Sequence, residues 1–197
     1  MKLKKILVTY ATMSGSTADV ARAIAEELAK GDIPVDVLPL AQVSRLEDYA
    51  ALILGAPMIM GWHRAARAFL RKNRKALQNI PLAVFVTAMS LTANGEQEVH
   101  GVPVFLDGYL ARPPGNPGRL NLKERYTQLV NYAVPILKAA MPARPVSIAF
   151  FGGRLDLFRL PWWAKIFVLV VVQSQPGDRR DWDAIRSWAG EILSKLK

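Results

Sequence analysis

Five short apolar runs recur along the chain, at residues 4–10, 35–38, 51–55, 82–88 and 146–151 (KKILVTY, VDVL, ALILG, LAVFVTA, VSIAFF). They lack the polar alternation of a sheet with one wet face. Strands of this kind are buried on both sides, which requires a parallel sheet covered by helices above and below. The stretches between them supply the helices. Residues 18–30 place Val20, Ala21, Ile24, Ala25 and Leu28 at helical spacing, and Gly31 follows as a stop. Residues 62–77 repeat the pattern with Ala65, Ala66, Phe69, Leu70 and Leu77. Residues 123–140 are helical with a kink expected at Pro135. Residues 181–196 carry Trp182, Ile185, Trp188, Ala189 and Ile192 on one stripe. The expected architecture is α/β: a doubly wound, five-stranded parallel sheet with helices on both faces, in one of the two strand orders that such sheets commonly take. The 197 residues suit a single domain and are few for two. Two stretches interrupt the alternation and read as insertions. Residues 91–122 are rich in Gly and Pro, and residues 154–180 are apolar and aromatic in the middle and basic at the end.

Composition removes whole classes of chemistry. There is no cysteine, so disulfides, thiolate zinc sites, Cys-held iron–sulfur clusters and Cys nucleophiles are excluded. With His63 and His100 the only histidines, no metal site is expected, and redox chemistry would fall to an organic cofactor. The net charge of +10 favours anionic partners. No Asp or Glu occurs from residue 49 to 95, while Arg64, Arg67, Arg71, Lys72, Arg74 and Lys75 crowd one helix. That cluster is either a solvated face or an attractor of anionic lipid or ligand carboxylates. No recognition motif accompanies the charge, which argues against nucleic acid. The apolar run at 6–10 is short for a signal segment, so the expected location is cytoplasmic. The run at 166–172 is far short of the ~20 residues that span a bilayer. With Trp162, Trp163 and the cations Arg159, Lys165, Arg179 and Arg180, it reads either as a core helix or as a peripheral membrane contact through 159–180.

The sharpest signal lies between the first strand and the first helix, at Thr12-Met13-Ser14-Gly15-Ser16-Thr17. Four hydroxyls and a glycine at a helix start make either an ordinary N-cap or an anion cradle. The end of the first strand of an open parallel sheet favours the cradle, because ligands bind at such ends. The loop has neither G-x-x-x-x-G-K-[ST] nor G-x-G-x-x-G, and no G-x-S-x-G occurs in the chain. A nucleoside triphosphatase, a dinucleotide site and an α/β-hydrolase are thereby disfavoured.

Y-x-T-x-S-G-x-T resembles the phosphate loop of flavodoxins, which hold flavin mononucleotide (FMN); Thr12, Ser14, Gly15, Ser16 and Thr17 match it, with Met13 at a variable place. Residues 46–57 are similar to the flavodoxin strand that leads into the first flavin-ring loop. The resemblance implies that this loop is Pro57-Met58-Ile59-Met60-Gly61-Trp62 and that a third contact is Thr87-Ala88-Met89. It implies also that Met60 and Trp62 pack on the ring, unless Trp62 anchors its helix, and that Gly61 either allows backbone rearrangement near it or is simply a turn glycine. His63 is a candidate proton shuttle or simply an exposed residue; no other catalytic residue is assigned. The passage from this loop into 63–73, the last strand ending at 151–155 and the insertion before Asp181-Trp182 resemble the flavodoxin-type, quinone-dependent protoporphyrinogen IX dehydrogenases of bacteria. That resemblance implies electron transfer from a reduced porphyrinogen through FMN to a quinone at the membrane surface. The 91–122 insertion departs from it. Flavodoxins that act as electron carriers are acidic, whereas this chain is basic; a non-enzymatic carrier docking on an acidic partner is the alternative.

Overall fold

The computed structural model describes residues 5–59, 61–116, 118–155 and 177–196. In chain order its elements are β1 (Lys5–Tyr10), α1 (Ser16–Ala29), β2 (Val35–Pro39), β3 (Tyr49–Pro57), α2 (Arg64–Lys72) and β4 (Leu82–Ala88). Next come four short strands, β5 (Leu91–Thr92), β6 (Glu98–Val99), β7 (Val102–Leu106) and β8 (Ala111–Arg112). The chain continues with α3 (Leu122–Tyr126), α4 (Leu129–Ala140), β9 (Ser147–Gly152), β10 (Arg154–Leu155), β11 (Gly177–Asp178) and α5 (Trp182–Leu193).

The pleat sends successive side chains to opposite faces, and here both faces are dry. Leu52, Leu54, Val84, Val86, Ile148 and Phe150 join a cluster with Ala66 and Leu70 of α2 and Ala133 and Ile136 of α4. Their neighbours Ala51, Ile53, Ala83, Phe85, Ala149 and Phe151 join Val20, Ile24 and Leu28 of α1 and Ile185, Trp188 and Ile192 of α5. Two cores, one per face, account for runs that are apolar throughout.

Strands β2, β1, β3, β4 and β9 lie side by side in that order, all parallel. The winding reverses between β1 and β3, so the loops that follow these two strands diverge and leave a crevice. Among the described residues the sheet has seven strands, the five expected and two more. β7 extends it parallel to β9, and β6 pairs antiparallel with β7. Both come from the 91–122 insertion. Asp107, fully buried at the end of β7, explains how so short a strand is held. Its carboxylate accepts from the Gly152 amide at 2.9 Å and the Tyr109 amide at 2.7 Å, and its own amide donates to the Phe150 carbonyl.

Helix boundaries also differ from the expectation. The predicted helix at 123–140 is two helices, broken at Thr127–Gln128 and not at Pro135. The Thr127 carbonyl is taken by the amide of Thr92 at 2.9 Å, and the two threonine hydroxyls meet at 2.8 Å. The insertion thus diverts a carbonyl that would continue the helix. Pro135 sits inside α4, where its missing N–H would have reached Asn131, an exposed residue. The predicted 62–77 helix runs only from Arg64 to Lys72, ending where the Asn73 side chain donates to the Phe69 carbonyl. A short 3₁₀ turn follows at Ala76–Gln78.

Candidate functional site at the strand ends

Four loops leave the carboxyl ends of β1, β3, β4 and β9 and are bonded to one another. The Ala11 amide donates to the Gly55 carbonyl, Met58 to Thr87 at 3.0 Å and Gly153 to Ala88 at 2.8 Å. The crevice between them is lined by Thr12, Met13, Ser14, Ser16 and Thr17, by Pro57, Met58 and Ile59, and by Thr87, Ala88 and Met89. The three expected loops therefore converge. Gly153, Arg154 and Leu155 complete the lining, a fourth segment that sequence reasoning did not assign to the site. Its signal was the Gly152-Gly153 pair at the end of the last parallel strand. A Cβ on Gly152 would fall 1.9 Å from the Arg179 carbonyl oxygen, so only glycine lets this returning segment approach.

Two of the loop's hydroxyls are structural ties. Thr17 is 1% exposed and its hydroxyl meets that of Thr87 at 2.9 Å. The Ser16 hydroxyl accepts from the Arg154 amide at 2.8 Å. The Thr12 hydroxyl accepts from the Gly15 amide at 2.9 Å and shapes the turn. Gly15 is the N-cap of α1, at φ 90°, and no side chain among the described residues caps the helix. The amides of Ser16, Thr17 and Ala18 are the first of the helix and have no acceptor one turn back. Donors at the positive end of a helix dipole form an anion slot. The carboxylate nearest to it in sequence, Asp19, is engaged by Arg22 at 2.8 Å and by Arg180 at 2.9 Å. This donor set fits a phosphate monoester, and the apolar Met58, Ile59 and Met89 beside it fit a flat ring system.

The flavodoxin domain family model matches residues 7–181. The chain belongs to the flavodoxin domain family. Flavodoxin domains bind FMN. Over 95% of this chain and 94% of the relative, it is 23% identical to protoporphyrinogen IX dehydrogenase [quinone] of Escherichia coli strain K12. A short-chain flavodoxin associated with a non-canonical PDU bacterial microcompartment shares the fold, with a TM-score of 0.53 and 11% identity over 98% of this chain and 99% of that one. The chain spans 36% of the longer rubredoxin oxygen:oxidoreductase of Desulfovibrio gigas, with a TM-score of 0.49 and 15% identity over 98% of this chain.

Within this flavodoxin domain some expected ring contacts lie elsewhere. Trp62 is 1% exposed and packs in the core with Ala66 and Leu70, so it anchors the loop and does not line the crevice. It pairs with Met58 across a tight turn in which Gly61 has φ 97°, a left-handed conformation that favours glycine. Gly61 faces a neighbouring groove, and Met60 lies outside the described residues. Trp162, Trp163 and the apolar run at 166–172 also lie outside them. Arg180, expected to flank that run as a lipid-facing cation, is held instead by Asp19 and Asp178, with its guanidinium 4.5 Å from the Trp182 ring centre. The Arg179 side chain donates to the Met89 carbonyl at 3.2 Å.

His63 lines a different groove, shared with Tyr10, Thr12, Phe69 and Lys72. Its Nδ1 is buried without a hydrogen-bond partner among the described residues, and burial holds its pKa below the ordinary value of 6.5. The unfolded chain then binds a proton on His63 more readily than the folded one. Stability is therefore full above about pH 6.5 and falls as pH drops through that value toward the lower folded pKa. Denaturant melts at pH 5 and pH 7.5 should show a smaller acid loss in His63→Gln than in wild type. An identical loss would mean that His63 is not desolvated in the folded protein.

Proposed function

We propose that this chain is an FMN-dependent oxidoreductase that takes electrons from a reduced porphyrinogen and passes them to a quinone. The observation that carries the flavin assignment is the helix start without a side-chain cap, opening on a crevice where all three expected loops converge. The near full-length likeness to the quinone-dependent dehydrogenase of E. coli supports the finer reading. The Ser16, Thr17 and Ala18 amides, with the Ser14 side chain at the rim, would hold the phosphate. Pro57, Met58 and Ile59 on one side and Thr87, Ala88 and Met89 on the other would flank the ring and exclude water. Bound there, FMN supplies the capacity to accept a hydride equivalent and release electrons singly or in pairs. The chain's part is orientation. The Ile59 amide donates to the Gly61 carbonyl at 3.2 Å and the Met58 amide to Thr87, which fixes the ring loop against the sheet.

No helix among the described residues is long and apolar enough to cross a membrane. Access to a membrane-dissolved quinone would come through a peripheral contact by 159–180. Purified protein should carry a flavin absorbance band and, without oxygen, oxidise protoporphyrinogen IX only when a quinone is supplied. A flavin-loaded protein that exchanges electrons with carrier proteins but leaves the porphyrinogen intact would overturn the enzyme reading. The alternative carrier role would then stand. Its support is α2 and the turn beyond it, where Arg64, Arg67, Arg71, Lys72, Arg74 and Lys75 make no ion pair among the described residues.

A further inference from the structure

Met58 belongs to two recesses at once. One is the strand-end crevice. The other is a groove of about 740 Å³ with Met58 and Gly61 on one wall and Leu122, Arg125, Tyr126, Asn131 and Tyr132 on the other. The second wall is made by α3 and the first turn of α4, and the 91–122 insertion holds it in place. Asn121 and Glu124 cap the start of α3 reciprocally, at 2.9 and 2.8 Å. The Glu124 carboxylate reaches back to the Gly115 amide at 2.8 Å, and the Thr92–Thr127 contacts pin the junction between the two helices.

That wall has a defined chemistry. Tyr126 and Tyr132 meet edge to face, with ring centres 6.4 Å apart. Leu122 is 72% exposed, a large apolar side chain left in water beside them. The only acid of α3, Glu124, spends its carboxylate on backbone amides, so the Arg125 guanidinium next to it has no ion-pair partner among the described residues. The Asn131 side chain donates to the Arg125 carbonyl at 2.7 Å and joins the start of α4 to the end of α3. An aromatic and aliphatic surface with one unpaired cation suits a large, apolar ring system that carries carboxylates. We propose that this groove is the substrate subsite, with Arg125 taking a carboxylate and the ring system lying against Leu122 and the tyrosine pair, beside the Met58–Gly61 turn. The assignment rests on the porphyrinogen reading given above. It also accounts for the 91–122 insertion, which builds the substrate wall next to the loop expected to hold the flavin ring.

Protoporphyrin IX, the fluorescent oxidised ring system, and its dimethyl ester are the probes, titrated into FMN-loaded wild type, Arg125→Glu and Leu122→Glu. Arg125→Glu should weaken protoporphyrin IX binding about ten-fold or more, the scale of a lost charge-assisted contact. The dimethyl ester, which has no carboxylate, should bind wild type and Arg125→Glu within about two-fold. Leu122→Glu should weaken both probes. FMN affinity and melting temperature should be unchanged in both variants, because both residues lie on the solvent side of α3. If wild type binds protoporphyrin IX and both variants bind it equally well, the groove is not the subsite, while the porphyrinogen reading stands. If wild type binds neither probe, the subsite fails, and the porphyrinogen reading is decided separately by the anaerobic oxidation with a quinone.

Discussion

Ser14→Asp should lower FMN affinity about 100-fold, while riboflavin binding changes less than about three-fold. The substitution places a carboxylate at the mouth of the anion slot, at the start of α1. Two like charges about 4 Å apart repel by roughly 1–4 kcal/mol between the limits of water and a protein surface. Removing a favourable phosphate contact adds to that. Riboflavin has the ring but no phosphate, so it reports on the other two loops alone. The measurement is a fluorescence titration of both flavins into apoprotein, with a thermal melt to confirm the fold. Equal loss for both flavins would show that the phosphate does not sit at this helix start. Thr17→Ala is a weaker probe of the same slot, because the Thr17 hydroxyl is bonded to Thr87 and its removal registers first as lost stability.

Gly55→Ala should destabilise the protein by about 3 kcal/mol, at the upper end of ordinary overpacking. A Cβ at this position would fall 1.9 Å from the Phe85 ring. Gly55 and Phe85 are register partners on adjacent central strands, so the clash cannot be relieved by sliding one strand. Nor is there space on the far side of the ring, where Phe151 and Trp188 each lie with centres 6.5 Å away. For a chain of this size the loss corresponds to a fall in Tm of about 6–12 °C. Phe85→Leu in the same chain should recover part of it, so the double-mutant cycle carries a favourable coupling term. A Gly55→Ala protein that melts within a degree of wild type would contradict the β3–β4 register.

The central sheet was legible because burial on both faces leaves an unmistakable record: 82–88 is apolar from end to end except for Thr87, which faces the site. The first loop's residues alone allow an N-cap as readily as an anion cradle; its place at the end of the first parallel strand is what pointed to a crevice, and the structure puts it in one. The 91–122 insertion was not. β5, β6 and β8 are two residues each, and β7 contains Pro103, so no periodicity could develop. What holds them is long-range: the Asp107 carboxylate on Gly152, and Thr92 on Thr127. The break at Thr127 was hidden for the same reason, since Lys123 through Ala140 has good helical composition and its interruption is imposed by a residue 35 positions away. Trp62 shows the converse. An aromatic next to a ring loop invites stacking, and only the fold reveals that its indole points into the core.

The Ser16 hydroxyl and the Arg154 amide are 138 residues apart in sequence and share one hydrogen bond. Ser16 opens α1, and Arg154 begins the ladder of β10 with β11 at the base of the second insertion. Any ligand that steadies one end therefore does thermodynamic work on the other. An anion settled at the start of α1 favours the closed ladder, and whatever fastens the ladder tightens the anion by the same factor, since such couplings are reciprocal. With the flavin phosphate at this helix start, as proposed, its occupancy and the β10–β11 ladder would form one equilibrium with two handles, joined by Ser16 to Arg154 and by Asp19 to Arg180.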